Sequence, residues 1–514
     1  MGSSAGALAA AVTWGALSWA GGTSSRPSSG PDLAANLFGG ADSADRRVCL
    51  ERAQGHPLLL EYLLRDGSHG PAHAGLPRTV QLLAQSRLDQ LDEGDRQAAR
   101  AAAVLGAQFE LEALRELIAR PDYSPEPLLR SFLVRQRGAR LAFCHALIHE
   151  GIYASLLQAP RAALHARCAH WFAGRDAVLR AHHLLCAGHD EAPDAASRAA
   201  RELIDRYQFG EALVLLDAAL AAATRAPMRF DLLILRATAC MKRGDVAASV
   251  LACEEAARSA PDRRGRCDAL IELALGLNTL ERVADAEDAL DEAGAIAAQL
   301  DLPVQASRVH HLRGNFHFPR GDAAFCHEQH RLALQHARRA GNAELEARAC
   351  SGLGDAAYAQ GRMYSAYTHF SDCLALCRAH ELLHVQAANL FMLGTVRIYQ
   401  NENLLALDNA EQSVALAGRV GHRRAQVVSH LTAGWVLLDL LELDRAALHI
   451  EQGLALAAEI GALRFVPFLR ESLARLQHLR GEQDAARASI ALACDEVASL
   501  GLRAFIGPWL QGTR

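Results

Sequence analysis

A period of 40 residues runs through the second half of this chain and constrains its fold more than any other feature. Small residues recur at Ala274, Gly314, Gly354, Gly394, Gly434 and Ala474. A second column follows twelve residues later: Ala286, Cys326, Ala366, Ala406, Ala446 and Ala486. A third column carries larger side chains at most positions: Leu290, His330, Phe370, Ala410, Ile450 and Ile490. A fourth is small again: Ala297, Ala337, Cys377, Ala417, Ala457 and Val497. Fixed spacing of this kind means one supersecondary unit copied in tandem. Two helices of a hairpin approach closely only where side chains are small. A Gly or Ala on the first helix is therefore expected to face an Ala on the second, and the larger residue one turn on to fill the space toward the next unit. A lone hairpin cannot bury its apolar face, so the copies must stack. Gly314, Gly354, Gly394, Gly434, Ala366, Phe370, Ala406 and Ala446 are the expected packing residues. Gly341, Gly421, Gly461 and Gly501, lying between units, suit left-handed helix ends.

Composition agrees with helices. Of 514 residues, 51% are apolar but only 5% aromatic. Ala and Leu dominate, and both lose little side-chain freedom in a helix. Long alternating runs of Val, Ile and Thr, as a large sheet would need, are missing. The expected class is all-α: a helical-repeat solenoid over 176–514 of about 7–8 helix pairs, preceded by a smaller, mostly helical region.

The spacings resemble the tetratricopeptide repeat. Leu353-Gly354, Ala366 and Phe370 fall at its Leu-Gly, Ala and Phe offsets. An earlier unit fits the ordinary 34-residue form through Ala237, Gly244, Ser249, Cys253, Ala256 and Pro261. Ala212, Leu216 and Ala219 mark a weaker one before it. The longer variant looks like the repeats of the maltose-regulon activator and related bacterial regulators. The likeness covers about 195–505; it is specific for fold and unspecific for ligand.

Residues 33–175 differ, and three stretches carry a second resemblance. The first is Glu51-Arg52-Ala53-Gln54-Gly55-His56-Pro57-Leu58-Leu59-Leu60-Glu61. The second runs from Leu76-Pro77 through Arg87-Leu88-Asp89-Gln90-Leu91 to Ala101-Ala102-Ala103-Val104-Leu105-Gly106 and Phe109. The third is Phe143-Cys144-His145-Ala146-Leu147-Ile148-His149-Glu150-Gly151-Ile152-Tyr153. Together they are similar to the region after the nucleotide-binding core of bacterial STAND-type signalling ATPases, which include LuxR-type activators and proteins joined to nucleotide cyclases. The resemblance implies a remnant of the ATPase lid at 33–70 with a Gly-x-Pro element, and a winged-helix-like module at 71–175. It also implies nucleotide roles for Gly55 and Pro57 at the adenine and for His145 at the β-phosphate. The residues alone allow another reading: Gly55-His56-Pro57 as a helix-ending turn, and His145 as a packing residue. Cys144 and His149 stand where that family usually has arginine.

Read directly, 79–91 and 94–106 have helical periodicity. Phe132–Gln136 and Arg140–Phe143 flank Arg137-Gly138-Ala139, a plausible short hairpin with Gly at its turn. Residues 1–32 read as a tail without a fold of its own. Within it, 5–21 are mildly apolar without a basic leading segment, and 22–31 are rich in Ser, Gly and Pro.

Missing chemistry decides the rest. A P-loop needs GxxxxGK[ST], and no such segment occurs. Lys242 is the only lysine and lies in Met241-Lys242-Arg243-Gly244, inside a repeat. A nucleotide site is therefore expected only with a P-loop core encoded upstream. An incompletely read gene, a degraded paralogue and a fragment working with another protein would each explain the arrangement. No catalytic constellation appears. His182-His183, His310-His311 and the run His327, His330, His336 lack the spacing to put three metal ligands on one face. Twelve scattered cysteines without a CxxC pair suit a reducing cytoplasm, and Cys373 and Cys377 are expected to pack on one helix face. A net charge of −5 with no basic stripe gives no sign of nucleic-acid binding, and no run is apolar enough to span a membrane.

The expected function is a non-catalytic regulatory scaffold, the sensor half of a STAND-type regulator. It would bind a protein, a peptide or a small effector in a repeat groove, with no cofactor of its own. The alternative is a fragment of an ATP-dependent STAND ATPase, a transcriptional regulator or cyclase-linked protein. A structural adaptor is a third reading.

Overall fold

Runs of Ala and Leu between left-handed turns give helix after helix. In the computed structural model the described residues are 85–500, apart from Thr224, together with Leu510. Gly55 and Pro57 lie outside them, as do the lid and tail assignments over 1–70 and the turn glycine Gly501. The chain divides into two compact units, 1–261 and 262–514. That division falls within the repeat array rather than at the change of sequence character near 175.

In the first unit the described residues open with a helical stretch at 85–89, followed by α1 (Glu93–Leu105), capped where the Asp92 carboxylate accepts from the Asp95 amide. Ala98, Ala99, Ala101, Ala102 and Ala103 are all buried, so the helix is packed on most of its circumference. There follow β1 (Gln108–Phe109), α2 (Leu111–Ile118), α3 (Glu126–Arg130), β2 (Val134–Arg137) and β3 (Arg140–Phe143). The expected hairpin is present, with Gly138 at φ +62° in its turn. β3 pairs antiparallel with β2, setting Val134 against Phe143, and on its other edge with β1, setting Gln108 against Ala142. Leu114, Leu117, Leu128, Leu133, Leu141 and Ile152 form the core of this module.

Helices α4 (Ala146–Ser155), α5 (Gln158–Trp171) and α6 (Ala177–Ala187) lead to two helix pairs, α7 (Ala192–Asp205) with α8 (Phe209–Ala222) and α9 (Ala226–Arg243) with α10 (Val246–Arg258).

Among the described residues the second unit forms six helix pairs: α11 (Arg263–Thr279) with α12 (Val283–Gln299), α13 (Pro303–His317) with α14 (Ala323–Ala340), α15 (Ala343–Ala359) with α16 (Met363–Ala379), α17 (Leu383–Tyr399) with α18 (Asn403–Arg419), α19 (Arg423–Asp439) with α20 (Leu443–Glu459), and α21 (Val466–Leu479) with α22 (Gln483–Ser499). The small columns are where the paired helices nest. Ala366, Ala406 and Ala446 are fully buried. A Cβ built on Gly354 would sit 2.6 Å from the Phe370 ring, one on Gly434 3.1 Å from Ile450, and one on Gly394 3.0 Å from the Ala406 carbonyl. At Gly314 the His330 ring takes the place of Phe370, and the same ring also abuts Gly352 of the next pair. At Gly314, Gly354 and Gly434 the third column thus fills the slot opposite the glycine of its own hairpin, while at Gly394, where that column holds Ala410, the α18 backbone itself closes it. At His330 the column reaches the next unit as well.

Polar side chains stitch the same interfaces. Cys326 Sγ donates to the Gly314 carbonyl at 3.2 Å, Ser307 Oγ to Ala333 at 2.9 Å and Ser413 Oγ to Ala387 at 2.7 Å. Each bond satisfies a hydroxyl or thiol that would be costly to bury alone.

The turns repeat too. Within pairs, Glu281, Gly321, Gly361, Asn401, Leu441 and Gly481 all have φ between 59° and 84°. Between pairs, Asp301, Gly341, Glu381, Gly421 and Gly461 have φ between 51° and 70°. Position in the repeat imposes the left-handed conformation, even on Leu441, which a bulky L-residue adopts at a cost of about 1–2 kcal/mol.

Two substitutions test this frame by chemical denaturation. Gly354→Val is expected to destabilise by about 2–3 kcal/mol through its clash with Phe370. Leu441→Gly is expected to raise stability by about 0.5–1 kcal/mol, since Leu441 is exposed and its turn strained.

Candidate functional site

The first helices of successive pairs in the second unit also pack on one another, so they form its inner layer. Second helices turn Tyr364, Leu404 and Leu448 to solvent. Along each first helix the small column faces its hairpin partner, and a stripe displaced from it stays partly open. On α15 that stripe is Arg348, Ser351, Asp355 and Tyr358, spaced at i, i+3, i+7 and i+10. Its counterparts are Arg308, His311 and Asn315 on α13, Phe391 and Tyr399 with the buried Thr395 between them on α17, Trp435 and Asp439 on α19, and Phe468 and Arg475 on α21.

Neighbouring stripes touch. Arg308 pairs with Glu272 and Asp268 of α11, and Arg475 Nη2 donates to Asp439 Oδ1 at 2.9 Å. The Tyr358 and Tyr399 rings meet edge-on at 6.0 Å, as do Trp435 and Phe468 at 6.4 Å. Thr395 and Thr432 hydroxyls lie 3.4 Å apart. The face thus changes along the unit: charged and polar groups alone on α11 and α13, and aromatic rings from Tyr358 onward, with the Asp439–Arg475 pair beside them.

Asp355 stands out. It has no hydrogen-bond or ion-pair partner among the described residues, and its surroundings are apolar enough that desolvation pushes its carboxyl up to about 7. It lies close enough to Cys326 and Cys373 to help raise their thiols. Burial likewise holds His311 down to about 3, with the charges of His330 and Arg348 adding to it. Tyr358 is raised by burial and by its hydrogen bond with Tyr399.

A second concentration of polar groups lies in the first unit. His165 Nδ1 and His183 Nδ1 are 2.9 Å apart, so one must donate and the other accept. The Tyr153 hydroxyl bonds His165 Nε2 at 2.9 Å. His183 stacks flat on Phe172 with ring centres 5.5 Å apart, and His182 lies 3.7 Å from Cys186 Sγ. Burial keeps all three imidazoles neutral: His165 falls to about 3, His182 to about 4 and His183 well below the ordinary value. No group of three or more His, Cys, Asp or Glu among the described residues is placed to hold a metal.

His145, the described member of the expected nucleotide set, is the half-buried N-cap of α4 in extended conformation. Its expected partners Gly55 and Pro57 lie outside the described residues. His149 Nε2 meets the Ala103 carbonyl at 2.9 Å and its ring packs on Phe143, so it belongs to the module's core. The packing glycines and alanines frame the inner face without lining it. Sequence reading missed Asp355, Tyr358, Tyr399 and Trp435. A signal existed: the column just after the glycines reads Leu275, Asn315, Asp355, Thr395, Trp435 and Arg475, chemically varied beside a column that stays small.

No protein-family model matches the sequence, and no curated relative matches it. Solved structures do resemble it. A Signal Transduction ATPase with Numerous Domains (STAND) protein with a tetratricopeptide repeat sensor, from Pyrococcus horikoshii, is similar over 90% of this chain and 70% of its own, with 13% identity and a TM-score of 0.52. The Rap conjugation gene regulator of plasmid pLS20, in complex with the Phr* peptide, aligns over 64% of this chain and 96% of its own at 11% identity and a TM-score of 0.46. The apo quorum sensor NprR from B. thuringiensis aligns over 63% and 98% at 11% identity and 0.39. At such identities the likeness speaks for the fold: an all-α, tetratricopeptide-like helical-repeat solenoid.

The histidine cluster makes stability depend on pH. Its folded pKa values lie below the unfolded value near 6.5, so the unfolded chain takes up protons first as pH falls. Stability is therefore expected to decline from pH 7 to pH 5, by roughly 1–2 kcal/mol for each buried histidine. Urea titrations across that range should show a flatter pH dependence for the double variant His165→Gln/His183→Leu.

Proposed function

We propose that this chain is a non-catalytic regulatory scaffold, the sensor half of a STAND-type regulator, which binds a protein or peptide segment along the inner face of 262–500. One observation carries the reading. A frame of small, buried residues holds first helices whose partly open stripes differ from repeat to repeat, from Asn315 and Asp355 to Tyr399 and Trp435. Packing alone does not call for that variety; recognition of an extended ligand does. A small effector could fill part of the same face. The order helix, strand, helix, helix, strand, strand with a turn at Gly138 supports reading 71–175 as a winged-helix-like module. The overall net charge of −5 is against direct nucleic-acid contact. Eleven described cysteines are unbridged thiols, which favours a reducing cytoplasm. No helix among the described residues is long and apolar enough to cross a membrane.

A second reading, that the chain belongs to an ATP-dependent STAND ATPase, draws on the fold likeness to the P. horikoshii protein and on the family resemblance around Gly55, Pro57 and His145. It predicts that ATP or ADP raises the melting temperature of a protein in which a P-loop core is joined to this chain. The scaffold reading predicts no nucleotide effect.

The direct test is selection of random dodecapeptides displayed on phage against the purified chain. Enriched sequences are expected to lose binding to Tyr399→Ala/Trp435→Ala and to keep it to Leu448→Ala on the outer side. Failure to enrich any sequence, or equal binding to both variants, would overturn the proposal.

A further inference from the structure

The inner face of the second unit carries an acid without a counterpart among the described residues. Ion pairs satisfy many of the acids around it: Asp268 and Glu272 through Arg308, Asp439 through Arg475, Glu344 through Arg348. Asp355 is different. No described cation reaches its carboxylate, and its stripe neighbours are Ser351 and Tyr358. A desolvated carboxylate without a partner is costly in a resting fold, and such groups concentrate where a ligand completes the site. Cysteines beside it, Cys326 and Cys373, offer no charge compensation, because burial keeps them as thiols.

Toward the C-terminal end the same face turns apolar. Phe391 and Tyr399 on α17, Trp435 on α19 and Phe468 on α21 follow one another, with Tyr399 more than half exposed. Adjacent packed helices lie about 8–10 Å apart. One first helix, α17, intervenes between Asp355 and Trp435, so the two are about 16–20 Å apart. That span equals roughly five or six residues of extended peptide at about 3.3 Å each.

We infer that Asp355 is the anchor for a cationic group of the bound peptide, and that an aromatic or large aliphatic residue five or six positions away seats against Trp435 and Phe468. This deepens the proposed function and rests on it. The cation is an Arg or Lys side chain or a free N-terminal ammonium, each able to give the carboxylate a charge-assisted bond. Pairing there supplies what the fold leaves unsatisfied, and the aromatic pair supplies the buried apolar contact that usually dominates such interfaces.

The test uses the full chain and synthetic octapeptide pools read by fluorescence polarisation. Each pool fixes Arg, Gln or Glu at one position and Trp or Ala six positions on, and each is made with free and acetylated N-termini. Arg pools are expected to bind at least tenfold more tightly than Gln pools. Asp355→Asn should erase that preference, and Asp355→Arg should transfer it to Glu pools. If free pools bind alike whatever the fixed residue and acetylation weakens all of them at least tenfold in the parent but not in Asp355→Asn, the N-terminal ammonium is the cation; if the preference for Arg survives acetylation, the side chain is. Asp355→Ser serves should the Asn variant not fold. A parent protein that binds Gln and Arg pools equally and is indifferent to acetylation, or a cation dependence that survives Asp355→Asn, overturns the inference while leaving the peptide scaffold standing. A parent that binds no pool at all overturns the proposed function with it.

Discussion

Close approach of paired helices is the constraint from which the rest follows. Where Gly354 meets the Phe370 ring or Gly434 meets Ile450, the missing side chain on one helix makes room for a large one on the other. Interiors pack at crystal-like density, so such a slot accepts a defined shape and little else. The slot at Gly314 shows how strict the geometry is and how permissive the chemistry. An imidazole, His330, occupies the place Phe370 takes one unit later, wedged between Gly314 and Gly352 and kept neutral by burial. Each first helix is thereby fixed at one depth and one rotation, and its remaining stripe faces the same way in every pair.

That division of labour explains how a repetitive molecule acquires a specific face. The columns that hold the frame must stay small or fill a set volume. The stripe on the inner face carries no such demand and differs at every repeat. Asp355 is the sharpest case, an acid whose surroundings suit a neutral group. Its desolvation is tolerable because the frame around it is held by many contacts that do not involve it.

The first unit uses burial in another way. His165, His182 and His183 lie where rings of Tyr153 and Phe172 fit, and their hydrogen bonds to each other and to tyrosine replace the water they lost. The His165–His183 contact holds one proton between two nitrogens, so a second proton would meet both desolvation and repulsion. Nothing in the sequence distinguishes His182-His183 here from His310-His311 in the second unit. Only the helices packed against each doublet do.

The sequence by itself determined the period, the helical class, the nesting columns and the hairpin at Gly138, because each depends on residues close in the chain or on a spacing that repeats. Ala366, Ala406 and Ala446 could be picked as interface residues since nothing larger fits between two helices in contact. The left-handed turns were legible only where glycine marked them; Leu441 and Glu281 adopt the same conformation because the pairs on either side require it. The inner stripe was not legible. Whether Asp355 or Tyr364 faces a groove or the outside depends on which flank of each helix its neighbours cover, and that is settled by stacking of whole units. The tertiary structure alone decided it, since an i, i+3, i+7 stripe has the same spacing wherever it points.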